Sequence, residues 1–182
     1  MKWLAALLVM LALPAAARPA RIVSMNPCID AVLMQVADPG QIAAISHYSQ
    51  DRRATSIPLA QALRFAATSG TAEEVAALRP DLVLSGPHMA PATIAALARL
   101  KVPLATFGVP ASLAESRAQM LAIARAVGHP ERGAALAARV DAAIAAARQH
   151  GPPVPALIWQ AGGLVPGGGT LADELLRTAG FR

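Results

Sequence analysis

Four short apolar runs, at residues 21–25, 42–46, 82–85 and 104–107, constrain this chain more than any other feature. None alternates apolar with polar residues. Apart from Arg21 at the edge of the first, each is an unbroken stretch of apolar and small residues, the pattern of a strand buried on both faces. Between them lie segments with helical signals. Asn26-Pro27 leads into a helix at 28–36 that Asp38-Pro39-Gly40 ends, and Thr71 caps one at 72–78 with Glu73 and Glu74 near its positive end. Ser112 caps a helix at 113–127, and further helical segments fall at 59–67 and 90–100. Strands and helices alternating at this spacing predict an open α/β lobe with a parallel sheet, since parallel neighbours need crossover connections. The stretch 47–58 reads as a polar loop without regular structure.

After Gly128-His129-Pro130 the pattern changes. An Ala-rich helix at 131–149 would run about 30 Å at 1.5 Å per residue, and Gly151-Pro152-Pro153 stops it. A strand at 156–159, a Gly/Pro-rich loop and a helix at 171–179 follow. One strand and one helix cannot close a core of their own. The expected division is therefore an N-terminal α/β lobe at 18–128, an inter-lobe helix at 129–151, and the start of an incomplete second α/β lobe at 152–182.

The first 17 residues read as a cleavable export signal: Lys2, an apolar run to Leu13, then Pro14 and small residues to Ala17. The run is shorter than the roughly 20 residues that a bilayer span requires. No cysteine stands at the expected junction to carry a lipid anchor, and the single cysteine, Cys28, excludes an intramolecular disulfide. A periplasmic protein is the expectation. The net charge of +5 comes from scattered arginines, with aromatics at 3%. Nucleic-acid surfaces instead cluster their basic residues, so no nucleic-acid partner is expected.

Chemistry-bearing residues are few. Cys28 falls where a helix begins, and the helix dipole can activate a thiol there; the plainer reading is a small residue at a helix start. The four histidines, His47, His88, His129 and His150, lack metal-site spacing. Residues 167–172 satisfy G-x-G-x-x-A, but Pro166 separates them from a strand, and a flexible loop before a Thr-capped helix accounts for them. No catalytic set emerges. The rival to a binding protein is an exported α/β enzyme using Cys28 or the Gly-rich loop, or a non-functional fragment.

The run from Arg21 to Pro27, the stretch from Gly70 to Leu84 with Glu73-Glu74-Val75-Ala76-Ala77-Leu78-Arg79-Pro80-Asp81-Leu82 at its heart, and Gly167 to Phe181 together resemble the periplasmic binding proteins of ABC importers for ferric siderophores and cobalamin. The resemblance extends over residues 21–182. It implies two lobes joined by a stiff helix, a ligand in the cleft between them, and no catalysis. On one wall it implies Pro27, Tyr48, Arg52, Arg53, Gly86 and His88; on the other, Trp159 and Gln160. It further implies that Glu73 docks on the permease in the inner membrane, that the protein is a monomer, and that it needs no cofactor or metal site because the chelator holds the metal. Arg52 and Arg53, side by side, suggest an anionic chelate.

Overall fold

A computed structural model describes residues 18–182; the export signal expected at 1–17 lies outside them. Five strands form one wholly parallel sheet: β1 (Ile22–Ser24), β2 (Ile42–Ser46), β3 (Ala67–Thr68), β4 (Leu82–Ser85) and β5 (Leu104–Thr106), in the order β3-β2-β1-β4-β5. The helices are α1 (Pro27–Val36), α2 (Leu59–Ala62), α3 (Ala72–Ala77), α4 (Pro91–Arg99), α5 (Leu113–Ala126), α6 (Pro130–Ala147) and α7 (Leu171–Thr178).

Successive residues of a strand point to opposite faces, and the core divides accordingly. Ile22, Leu82 and Leu84 join Ile29, Leu33 and Val36 of α1, Ile123 of α5 and Leu136 of α6 on one face. Val23, Ala44 and Val83 meet Val75 of α3 and Leu97 of α4 on the other. Burial on both faces explains why β1, β2 and β4 do not alternate, whereas β5, expected to be equally covered, lies at the sheet edge and is only half-buried, with Thr106 exposed.

The helix starts follow the local chemistry. The Asn26 carboxamide oxygen accepts from the backbone N–H groups of Cys28 (2.9 Å) and Ile29 (3.3 Å), and Pro27 occupies the first turn of α1. Thr71, Ser112 and Thr170 each accept from the backbone N–H three residues on, at α3, α5 and α7.

Three segments differ from the sequence expectation. The helix expected at 59–67 stops at Ala62, where Gln50 Nε2 donates to the carbonyls of Ala62 (3.2 Å) and Phe65 (2.9 Å). Ala67–Thr68 then pairs with Ile45–Ser46 as a fifth strand at the sheet edge. Within the expected polar loop, His47–Gln50 forms one 3₁₀ turn started by the Ser46 hydroxyl. The strand expected at 156–159 does not form: only a bridge between Val154 and Phe181 is present, and Ala156 N–H donates to Arg182 O (2.9 Å). A strand needs a neighbour along its length, and Leu157 and Trp159 have none and stay exposed.

The long helix α6 buries Gly133, Leu136 and Ala137, all in its first half, against α5 and α1. Most of its second half is exposed. Beyond it, α7 has no fully buried residue. Glu174 of α7 accepts the Leu113 N–H at the first turn of α5 (2.6 Å), and Gln149 N–H donates to Thr178 O (3.3 Å). These two contacts tie the C-terminal segment to the helical layer.

Candidate binding cleft

The strand order places a topological switch beside β1. The chain builds outward through β2 and β3, then returns to add β4 on the other side of β1. Open α/β sheets bind ligands at the carboxyl ends of strands at such a point. Here those ends are Met25-Asn26 and Ser85-Gly86. A Cβ at Gly86 would collide with the Asn26 carboxamide, so glycine at 86 lets Asn26 cap α1 with its amide over the β4 turn.

A polar cavity of about 240 Å³ opens at this edge. His47, Tyr48 and His88 line it, with Ser46, Thr68 and Thr93 supplying hydroxyls. His47 Nδ1 lies 3.2 Å from the Thr68 carbonyl oxygen. A carbonyl only accepts, so Nδ1 carries the proton and Nε2 of the neutral ring keeps a free lone pair. Tyr48 packs on His47 with ring centroids 4.0 Å apart and is 53% exposed.

A second, larger cavity of about 690 Å³ separates α1 and α5 from the 160–175 segment. Its walls are mainly apolar: Val32, Val109 and Met120 on one side, Leu164, Val165 and Leu175 on the other. Cys28 lines it too, with no hydrogen-bond partner for its thiol among the described residues. No Lys or Arg lines either cavity.

The residues expected from the sequence are thus distributed unevenly. Tyr48 and His88 meet in the polar cavity, joined by His47. Pro27 shapes the start of α1 without lining either cavity, and Gly86 acts through Asn26. Arg52 and Arg53 stand on an exposed loop away from both cavities; the Arg53 side chain is 93% exposed and lies 4.0 Å from Asp51. Trp159 is 72% exposed and lines neither, whereas Gln160 lines the apolar one. Glu73 is exposed and makes no hydrogen bond or ion pair among the described residues. Its neighbour Glu74 accepts from Thr68 Oγ1 (2.9 Å), Ser69 N (2.7 Å) and Ser69 Oγ (2.9 Å), and these bonds hold its carboxyl below the usual range.

His129 is spent on structure. Its buried ring lies 2.8 Å from Gln41 Oε1 and 3.3 Å from Asp38, which also pairs with Arg132 at 2.7 Å. Among the described residues no three His, Cys, Asp or Glu side chains converge on a metal site, and no helix is long and apolar enough to cross a membrane.

The apolar cavity was missed from sequence. Leu164-Val165-Pro166, three apolar residues inside a Gly-rich loop, were the available signal. Asp30, the one carboxylate on the buried face of α1, was missed as well.

Residues 22–182, all but the first few of the described chain, match the family model of the periplasmic binding proteins. This chain belongs to that family. No curated protein matches it. Among solved structures, this periplasmic binding protein is 27% identical to the periplasmic heme-binding protein RhuT from Roseiflexus sp. RS-1 (TM-score 0.67; 88% of this chain, 64% of that one). It is also 27% identical to a periplasmic heme-binding protein from Pseudomonas aeruginosa (TM-score 0.67; 90% and 62%). The periplasmic vitamin B12 binding protein BtuF of Vibrio cholerae shares the fold at 18% identity (TM-score 0.68; 91% and 66%). The chain spans about two thirds or less of the length of these structures. Like them, this periplasmic binding protein belongs to a family of binding proteins and not of enzymes.

Proposed function

We propose that this periplasmic binding protein captures a metal tetrapyrrole, of the heme or cobalamin class, outside the cytoplasm and delivers it to an ABC permease. The observation that carries this reading is the mainly apolar 690 Å³ cavity between the α1–α5 layer and the 160–175 segment. Small-molecule sites of about 300–1,000 Å³ bury most of a ligand's surface against apolar walls with a few placed polar groups. A flat, largely apolar macrocycle matches such walls. The structures with heme-binding names at 27% identity support the same class.

The arginine-held anionic siderophore loses support, because Arg52 and Arg53 face neither cavity and no cation lines them. Among the sequence-derived site residues, Tyr48 and His88, together with His47, line the separate polar cavity and are the proposed polar contacts for the part of the ligand that projects beyond the apolar one. Glu73, exposed on the first turn of α3, is the proposed permease contact.

The test is equilibrium titration of the full chain with hemin, cyanocobalamin and a ferric siderophore, read by visible absorbance. Trp159, the one tryptophan among the described residues, reports in parallel by fluorescence quenching. Saturable binding of one tetrapyrrole at a 1:1 ratio, with the siderophore silent, is expected. Tight binding of the siderophore alone, or of nothing, would end the proposal.

A further inference from the structure

Asp30 is fully buried on α1, beneath the turn that presents His47 and Tyr48 to the polar cavity. One carboxylate oxygen does all the bonding. Oδ2 accepts from the Ser46 N–H (3.0 Å) and from the Ser49 hydroxyl (2.6 Å), the two ends of the first part of that turn. Oδ1 is buried with no partner. The Ser24 hydroxyl is close enough to lower the carboxyl's pKa, but the hydrogen bond it makes is a long one to the Asn26 carbonyl oxygen (3.4 Å), not to Oδ1.

A buried carboxylate that leaves one oxygen unsatisfied costs free energy that an amide or apolar residue would avoid. Its position offers a return: the bonds it makes are those that set the turn's direction. We infer that Asp30 is a positioning residue for the ligand wall, its buried carboxylate holding Ser46 and Ser49 so that His47 and Tyr48 face the cavity, and that its protonation loosens this wall.

The ionised group makes charge-assisted bonds, about twice as strong as neutral ones. A proton on Oδ1 leaves both Oδ2 bonds neutral and frees Oδ1 to donate to Ser24. Burial pushes the carboxyl up to about 6, against the downward pull of the Ser24 and Ser49 hydroxyls and the Ser46 N–H. No charged side chain contributes to that shift. The titratable groups on the surrounding elements are engaged elsewhere or exposed. Cys28 and Tyr48 are exposed, and His47 bonds Thr68. On α5 and α6, Arg117 pairs with Asp141, Arg132 with Asp38, and Arg139 with Gln35.

This inference rests on the capture reading for its consequence, but not for its first test. Tyr48 is the only tyrosine, so fluorotyrosine labelling gives one ¹⁹F resonance on the turn. In the ligand-free chain, between about pH 4.5 and about pH 7.5, that resonance should show a step near the Asp30 pKa of about 6 that is lost in Asp30→Asn. Identical profiles in the two proteins would overturn the inference.

The second arm is hemin affinity at neutral pH. Asp30→Asn and Ser49→Ala should each weaken it by about fivefold, the scale of one weakened hydrogen bond, and the wild-type chain should weaken similarly below its step. Unchanged affinity in both variants would also overturn it. If hemin fails to bind the wild-type chain, the capture reading falls while the ¹⁹F arm still decides the role of Asp30.

Discussion

Gly133 lies in the first half of α6, where helix propensity alone favours alanine over glycine by about 1 kcal/mol. The structure reverses that expectation. A Cβ at Gly133 would overlap the Cβ of Ala124 on α5, with the Cα atoms of Leu121 and Ala124 close behind at 3.7 and 3.8 Å. A methyl carbon has no torsion by which to swing away, so the only relief is separation of the two helices. Separation would loosen the packing of Leu136 and Ala137 against the α1–α5 layer, where Met120 and Ile123 are also buried. The overlap is severe, so its cost falls in the upper part of the range of about 1–3 kcal/mol for overpacking, about 2 kcal/mol or more, which exceeds the propensity gain. Gly133→Ala should therefore destabilise the chain by about 1 kcal/mol or somewhat more, read as a lowered urea midpoint at unchanged slope. Combining it with Ala124→Gly should recover stability relative to the sum of the two single changes, with a coupling of at least about 1 kcal/mol. If Gly133→Ala is as stable as the wild-type chain, the close α5–α6 crossing is not real.

Two further outcomes can be checked with the same material. The Asp30 carboxyl has a higher pKa in the folded state, about 6 against 3.8, so the folded chain binds this proton more tightly; its stabilising contribution is complete below pH 3.8, declines through about pH 6 and is absent above. At 1.36 kcal/mol per unit, Asp30→Asn should gain on the wild-type chain by up to about 3 kcal/mol between acid and neutral pH. The difference between the two proteins is the quantity to follow, because Asp38, its carboxyl held down by Arg132, loses its contribution as pH falls. A flat difference would refute the assigned burial. The variant is thus expected to gain stability while losing the ordered ligand wall, the exchange common at functional sites. Glu174→Ala removes the acceptor for Leu113 N–H, a loss on the order of 1 kcal/mol, and should speed amide exchange across residues 160–182 while leaving the β1–β4 pairs unchanged. Uniform acceleration would show that α7 is not docked through this bond.

Much of this architecture was legible in the residues because its causes are local or periodic. Apolar runs at 21–25, 42–46, 82–85 and 104–107 announced strands, the first three of them covered on both faces, and Asn26, Thr71, Ser112 and Thr170 announced helix starts through side chains that reach only a few residues along the chain. The family could be inferred from the same segments. The candidate cleft was only half legible. Tyr48 and His88 could be placed after strand ends, and the sheet edge gathered them. Arg52, Arg53 and Trp159, expected on the cleft walls from their positions in the family resemblance, line neither cavity, because position along a loop does not say which way the loop carries a side chain.

What needed three dimensions was every feature that depends on a distant partner. Ala67–Thr68 is a strand only because β2 lies beside it, and 156–159 is not one because no strand does. Gly133 is required by Ala124 on another helix, and Glu174 gains its role from Leu113, sixty-one residues earlier. Asp30 becomes exceptional only when folding removes its water and leaves one oxygen unmatched. Local sequence specifies the conformation of a segment through short-range sterics and hydrogen bonds; desolvation, close packing and cavity shape arise only when segments meet.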